Sequence, residues 1–255
     1  MIGMSGSAAT RYVALGDSIT EGVGDDPHAD GTPRGWADRL AELMAAHGPV
    51  GYANLAVRGR RTREVVETQL ETAAAAAPTI ATVSAGVNDL LRPRLDLDAL
   101  AADLALIAAR LTGVGAQVLF VPLPAVERVT PLGHLLRPRR EALNTILADL
   151  AQRDGVVALP PTEGTIFEQK VAWSPDKLHL SAVGHEALAR EAAEALGLVV
   201  DPWIELTPAP SGPAGLRAEA RWVVREAGPW VGRRLTGRSS GDGRSAKRPE
   251  LTPVS

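Results

Sequence analysis

The stretch YVALGDSITEG, residues 12–22, decides the fold. Its apolar first half stops at a glycine, a pattern that is typical of a buried strand ending in a turn. An acid and a serine, Asp17 and Ser18, follow that glycine directly. Open α/β sheets bind their ligands at the carboxyl ends of the strands, so Ser18 lies where a reacting group is expected. Alternatively, Asp17 and Ser18 only cap the next helix.

Segments with strand and helix patterns alternate from this stretch to residue 197. Short apolar runs predict four more strands, at 50–55, 79–84, 117–121 and 156–159. Apolar residues at helical spacing predict five helices, at 36–46, 62–76, 96–111, 134–153 and 181–196. Strands that alternate with helices form a parallel sheet covered on both faces, because the crossovers are right-handed. The predicted fold class is α/β, a three-layer α/β/α sandwich with a five-stranded parallel sheet.

The composition excludes several classes of protein. The chain has 255 residues, 45% of them hydrophobic, which is enough for one sizeable core. It contains no cysteine, which excludes disulfides, thiolate zinc sites and a cysteine nucleophile. A net charge of -3 gives no reason to expect nucleic acid as a partner. Residues 1–10 lack the features of a secretory signal, and no apolar run reaches the roughly 18 residues of a membrane span, so we expect a cytoplasmic protein.

The composition changes near residue 200, which predicts a main domain at 1–200 and a separate C-terminal region at 201–255. Residues 202–215 are rich in Pro, Ala and Gly and predict a linker, and 216–227 fits a short helix. From residue 232 onward, basic residues among Gly and Ser are typical of a disordered tail. Such a tail either docks on an acidic partner, a membrane surface or nucleic acid, or is simply solvated.

Two residues far downstream could supply the groups that a reacting serine needs. A serine hydrolase requires a base, a group that orients the base, and donors for the developing oxyanion. Asp176 and His179 stand three residues apart, a spacing that lets the carboxylate approach the imidazole and fix its tautomer. An isolated Asp-x-x-His pair is a weak signal. His185, in the first turn of the last predicted helix, is interpreted as a structural residue.

Asn88 and Gly59 are the candidates for oxyanion donors. Asn88 follows the third predicted strand, and its side-chain amide can donate a hydrogen bond, although Asn-Asp pairs are also common in turns. Gly59 follows the second predicted strand, where a glycine lets a backbone amide face a pocket. It also fits an ordinary loop glycine.

Together and in this order, these residues resemble the GDSL or SGNH hydrolase family, which is named for a Ser, Gly, Asn and His in four sequence blocks. The four blocks here hold Ser18 (Gly-Asp-Ser-Ile), Gly59, Asn88 (Gly-x-Asn-Asp) and His179 with Asp176. The resemblance implies a flavodoxin-like sheet, metal-free ester hydrolysis, and an oxyanion hole made by the N–H groups of Ser18 and Gly59 and the Asn88 side chain. No Gly-x-Ser-x-Gly elbow surrounds Ser18, so the α/β-hydrolase family fits poorly.

The resemblance covers about residues 11–197 and implies a role for each group. Ser18 is expected to attack an ester carbonyl, His179 to take its proton, and Asp176 to orient His179. The acyl group stays on Ser18 until His179 activates water. No other cluster of His, Asp and Glu has metal-ligand spacing, so neither a metal nor another cofactor is expected.

Four further residues are expected around this site. Asp17 should shape the turn rather than take part in the reaction, and Asn54 should bond the loop backbone near Gly59. Trp36 and Trp173 are the candidates for the substrate pocket.

Three functional hypotheses follow for a small-molecule ester substrate, with no oligomeric state predicted. The first is a carboxylesterase or lipase acting on acyl esters. The second is a carbohydrate or natural-product O-deacetylase with the same catalytic residues, which an aromatic content of 4% disfavours. The third is a non-catalytic binding module that works through its basic tail, which the intact set of site residues argues against.

Overall fold

The computed structural model describes residues 9–127, 129–160, 162, 165–201 and 240–254, and its strands form one sheet. The strands are β1 (Thr10–Gly16), β2 (Val50–Asn54), β3 (Ile80–Ser84), β4 (Gln117–Phe120), β5 (Val156–Ala158) and β6 (Arg248–Pro253). Their order is β5-β4-β3-β1-β2-β6. Strands β1 to β5 are parallel, and β6 runs antiparallel to β2. The opening strand β1 therefore lies inside the sheet, between β3 and β2.

Helices connect the parallel strands. They are α1 (Ser18–Glu21), α2 (Trp36–Ala45), α3 (Thr62–Val65), α4 (Glu71–Ala75), α5 (Val87–Leu90), α6 (Leu97–Thr112), α7 (Pro131–Leu150) and α8 (Ala182–Ala195). A π-helical turn, Val66–Leu70, joins α3 to α4, and two 3₁₀ turns, Ile166–Glu168 and Lys170–Ala172, precede α8. Within the described ranges, no helix is long and apolar enough to cross a membrane.

The sheet separates two apolar cores, as the alternation of side chains along a strand requires. Tyr12 and Ala14 of β1 face the core that α2 and α8 cover, whereas Val13 and Leu15 face the core under α6 and α7. All four side chains are fully buried. The predicted three-layer α/β/α sandwich is confirmed.

A wider turn interrupts the helix that the sequence predicts as continuous over 62–76. Gln69, buried in this π-helical turn, binds both backbone groups of Gly16. Its Oε1 accepts from Gly16 N at 2.9 Å, and its Nε2 donates to Gly16 O at 2.9 Å. Such turns occur frequently at functional sites, and this one fixes the end of β1, directly before Asp17 and Ser18.

The C-terminal region corrects two predictions. Residues 248–253, predicted to be disordered, form β6, so the sheet has six strands instead of five. The strand pairs with β2, which would otherwise leave a row of backbone groups unpaired at the sheet edge. Backbone pairing needs no apolar side chains, which is why a polar, basic composition conceals it. The predicted linker at 202–215 and short helix at 216–227 lie outside the described residues.

Candidate active site

Ser18 stands at the carboxyl end of an inner strand. β1 ends at Gly16, Asp17 accepts a hydrogen bond from Ile19 N (3.2 Å), and Ser18 is the first residue of α1. Gly16 has a φ of 147°, and a Cβ there would lie 2.3 Å from Ser84 O of β3. Glycine is therefore required for β1 to end against β3, and this turn sets Ser18 at the edge of the sheet.

Three side chains form a continuous hydrogen-bonded chain. Ser18 Oγ lies 3.1 Å from His179 Nε2, and His179 Nδ1 lies 2.6 Å from Asp176 Oδ2. An ionised carboxylate only accepts hydrogen bonds, so Nδ1 carries the ring proton and Nε2 accepts from the serine hydroxyl. An imidazole held in this tautomer is able to take the proton of a serine.

The loop before α8 holds Asp176 in place. Its Oδ1 accepts hydrogen bonds from Ser174 Oγ (2.5 Å), Leu178 N (2.9 Å) and His179 N (3.0 Å). Burial by itself raises the pKa of Asp176, but its hydrogen bond to His179, its attraction to the positively charged form of that ring, and the hydrogen bonds from Ser174 and Leu178 outweigh burial. The net pKa of Asp176 lies well below that of an ordinary aspartate. The carboxylate is thus ionised and fixed beside the imidazole.

Two backbone N–H groups are available at the cavity that Ser18 lines. Ser18 N precedes the first intrahelical bond of α1, and Gly59 follows β2 with a left-handed φ of 80°. Both residues line the same cavity. Among the described residues neither N–H has an acceptor, so both can donate to a bound oxygen.

The side-chain amide of Asn88, the third predicted oxyanion donor, already has two acceptors within the protein. Its Nδ2 donates to Asp17 Oδ2 at 2.7 Å and to Arg60 O at 2.8 Å. Asn88 lines the cavity, but its two amide hydrogens point at protein acceptors. The side chain thus links the Ser18 turn to the Gly59 loop, and a bound oxyanion has to share or displace one of these acceptors.

The cavity beside Ser18 and His179 has a volume of about 230 Å³ and a mostly apolar lining. Its apolar walls include Val87, Leu91, Leu123, Val126, Leu136 and Leu178, together with Trp173. Trp173, a pocket candidate of the sequence analysis, lines this cavity. An apolar cavity that opens beside the Ser18–His179 hydrogen bond suits an acyl chain.

Trp36 corrects the second pocket expectation. It begins α2 and is fully buried, packed in the core that α2 and α8 share, and it does not line this cavity. Its backbone N donates to His185 Nδ1 at 3.1 Å. A tryptophan at the start of an amphipathic helix fits a core position as well as a pocket, and here the core position holds.

A family comparison matches the geometry. The model of the GDSL-like lipase/acylhydrolase family matches residues 14–187, most of the chain, including all four sequence blocks. The chain belongs to this family. It is a carboxylic ester hydrolase. A search of curated protein sequences found no match.

Solved structures share the fold of this GDSL-like hydrolase. LAE5, an alpha/beta hydrolase enzyme from the metagenome of Lake Arreo, Spain, is 18% identical with a TM-score of 0.64, covering 78% of this chain and 100% of that one. Axe2, an acetylxylan esterase from Geobacillus stearothermophilus, is 17% identical with a TM-score of 0.62, covering 77% and 98%. TesA is 20% identical with a TM-score of 0.59, covering 73% and 98%. At these identities the likeness shows the fold alone.

An ion pair that the sequence analysis missed holds the Gly59 loop of the hydrolase. The Glu21 carboxylate accepts hydrogen bonds from Arg58 N (2.6 Å), Nε (2.8 Å) and Nη2 (2.5 Å). Both side chains are largely buried, and Arg58 lines the cavity next to Gly59. Glu21 lies within the opening stretch, but its partner is 37 residues away, so spacing alone does not indicate the pair.

Asn54 contacts the loop that follows β2. Its Oδ1 accepts from Ala56 N at 3.1 Å, and its Nδ2 donates to Thr20 O at 2.8 Å. Asn54 is fully buried. These bonds connect the end of β2 to α1, the helix that begins at Ser18.

His185 is a buried neutral histidine. Its Nδ1 accepts from Trp36 N, so its Nε2 carries the proton and donates to Val23 O at 3.2 Å. Burial lowers the pKa of His185 to about 4. The ring thus joins α8 to the start of α2 and to the loop after α1, and its place in the first turn of α8 is a structural one.

We expect His185 to make stability depend on pH. A pKa lowered from about 6.5 in the unfolded chain means that the unfolded state binds the proton first. The contribution of neutral His185 to the free energy of unfolding is therefore complete above pH 6.5. It is lost as the pH falls towards 4, and the loss is about 3 kcal/mol in all. Urea denaturation of wild type and His185→Asn between pH 7 and 4 measures this pH dependence of the free energy of unfolding. The variant should be less stable at pH 7 but depend less steeply on pH, and equal slopes would contradict this.

Proposed function

We propose that this protein hydrolyses carboxylic esters of apolar acyl chains through an acyl-enzyme on Ser18. One observation carries the proposal: the Ser18–His179–Asp176 hydrogen-bonded chain opens into a mostly apolar cavity. A serine, a base and a carboxylate in this arrangement form a serine hydrolase triad on several unrelated folds.

The reaction then has two half-reactions. As Ser18 Oγ attacks the ester carbonyl, His179 Nε2 takes the hydroxyl proton, and the imidazolium passes it to the departing alkoxide. The alcohol leaves, and the acyl group remains as an ester on Ser18. A water molecule next gives its proton to His179 and attacks the acyl carbonyl, after which the imidazolium returns the proton to Ser18 as the acid departs.

The negative oxygen of both tetrahedral intermediates needs donors. The N–H groups of Ser18 and Gly59 supply two, because both line the cavity and have no acceptor among the described residues. Asn88 supplies the third when a bound oxyanion competes with Arg60 O for one of its amide hydrogens. Each such donor is typically worth about 100- to 1000-fold in rate.

The lining favours acyl esters over acetylated sugars. Sugars need several hydrogen-bonding groups around them, whereas most of the exposed lining here is apolar, with fewer polar side chains, such as Arg58, Thr130 and Lys177, among it. Trp173 is the one aromatic residue in the described lining. The carbohydrate deacetylase hypothesis therefore has less support than the acyl esterase hypothesis.

A series of p-nitrophenyl esters tests the substrate class. Each CH₂ buried against the cavity wall contributes about 0.8 kcal/mol, so kcat/KM should rise about fourfold per carbon from the acetate upward until the cavity is full. Leu136→Trp should shift the optimum to shorter chains because Leu136 lines the cavity. Its neighbour Leu135 is 76% exposed, so Leu135→Trp is the matched control. A preference for acetylated sugars over every longer ester would favour a deacetylase instead.

A further inference from the structure

The C-terminal segment reaches the Gly59 loop. Ser240 lines the catalytic cavity, and the next residue, Gly241, is buried. A Cβ on Gly241 would lie 2.1 Å from Arg58 O and 3.1 Å from Val57 Cγ1. The backbone of Gly241 is thus packed directly on the residue that precedes Gly59, and no larger side chain fits there.

Lys247 anchors the same segment at its other end, just before β6. Its Nζ donates to Pro33 O (2.7 Å), Arg34 O (2.5 Å) and Asp38 Oδ2 (3.0 Å), and its side chain is only 10% exposed. Asp38 also accepts from Tyr52 OH at 2.6 Å. A buried ammonium with three acceptors is fixed in position, and β6 begins at the next residue. Gly241 and Lys247 are together called the C-terminal clamp.

The loop that carries Gly59 is held from three directions. Val57 N donates to Gly16 O at 3.3 Å, which ties the loop to the end of β1. Arg58 N donates to the Glu21 carboxylate, and Arg58 O faces Gly241 of the clamp. Gly59 comes next, with its left-handed φ and an N–H that has no acceptor in the described part of the chain.

We propose that the C-terminal clamp positions the oxyanion donor of this enzyme: it presses on Arg58 and so keeps the Gly59 N–H in place beside Ser18. The proposal rests on the function proposed above. Oxyanion donors must be aimed at the developing charge before the reaction, and small misplacements are costly. The effect belongs to the transition state, so losing the clamp should lower kcat and leave KM nearly unchanged.

Two substitutions disturb the clamp from its two ends. Gly241→Ala introduces a methyl group against Arg58 O, and Lys247→Met keeps the length of the side chain but removes its donors. Ser245→Ala is the control, because Ser245 is exposed and lies in the same segment, between the clamp residues. All are assayed at a temperature at which circular dichroism shows every variant folded.

The measurements are kcat and KM for a short ester, and Ki for a trifluoromethyl ketone, whose adduct with the serine carries an oxyanion. We expect kcat to fall at least tenfold in both clamp variants, towards the roughly 100- to 1000-fold cost of losing a donor. Ki should rise in proportion, whereas Ser245→Ala stays near wild type. A change in KM alone, or in melting temperature with kcat and Ki unchanged, would overturn the proposal.

A fluorophosphonate label separates this proposal from the one it rests on. Labelling of wild-type Ser18 with unchanged kinetics in the clamp variants refutes the clamp and leaves the acyl-enzyme standing. Absence of the label from wild-type Ser18 refutes the acyl-enzyme itself, and with it the oxyanion role of the clamp.

Discussion

Ser18→Ala should fold like the wild type and lose about 10⁴- to 10⁶-fold in kcat, as removal of a serine nucleophile does in other triads. Among the residues that the structure describes, the side chain forms one hydrogen bond, to His179, and the backbone turn depends on Gly16 and Asp17, so the fold does not need the hydroxyl. Kinetics with a p-nitrophenyl ester and a circular dichroism melt measure the two effects. Ser245→Ala, at an exposed position, is the control for a serine without a role. A Ser18→Ala variant within tenfold of wild type would remove Ser18 as the nucleophile.

Asp176→Asn should cost about 10⁴-fold in kcat. An asparagine side chain has no charge to stabilise the imidazolium and can hold His179 in the wrong tautomer. Because the pKa of Asp176 lies well below the usual range, the wild-type carboxylate stays charged at every pH above about 4. Rates measured from pH 5 to 9 for both proteins test the prediction.

Ser174→Ala is the matched control for that substitution. It removes one hydrogen bond to Asp176 Oδ1, while the bonds from Leu178 N and His179 N remain. Its effect should therefore be less than tenfold. If Asp176→Asn were equally mild, another group would have to orient His179.

The sequence predicts most of the sheet because each parallel strand has a local sequence signal. Each is a short apolar run that ends at a turn residue, and each alternates with a periodic helix, so chain order and layer follow from local signals. The sixth strand has no such signal. Residues 248–253 read RPELTP, with two prolines and two charges, and only the free edge of β2 gives them a structure. Proline is tolerated at such an edge.

The candidate site likewise contains residues that the sequence predicts and contacts that it does not. Ser18, Gly59 and Asn88 each follow a strand of one parallel sheet, so their meeting at its carboxyl edge is predictable. Contacts between distant polar residues are not: Gln69 with Gly16, or Lys247 with Asp38, depends on packing across the completed fold. Trp36 fails as a pocket residue for a related reason, because an aromatic residue on a helix has the same local pattern in a core as beside a cavity.

The acyl-enzyme on Ser18 is tested most directly by covalent labelling. Wild-type protein is treated with a fluorophosphonate near neutral pH, its residual esterase activity is measured, and its peptides are mapped by mass spectrometry. Activity should disappear in step with one phosphonate adduct, located on Ser18 and missing from Ser18→Ala. An adduct on Ser84 or Ser181, or full esterase activity in fully labelled protein, would contradict the mechanism.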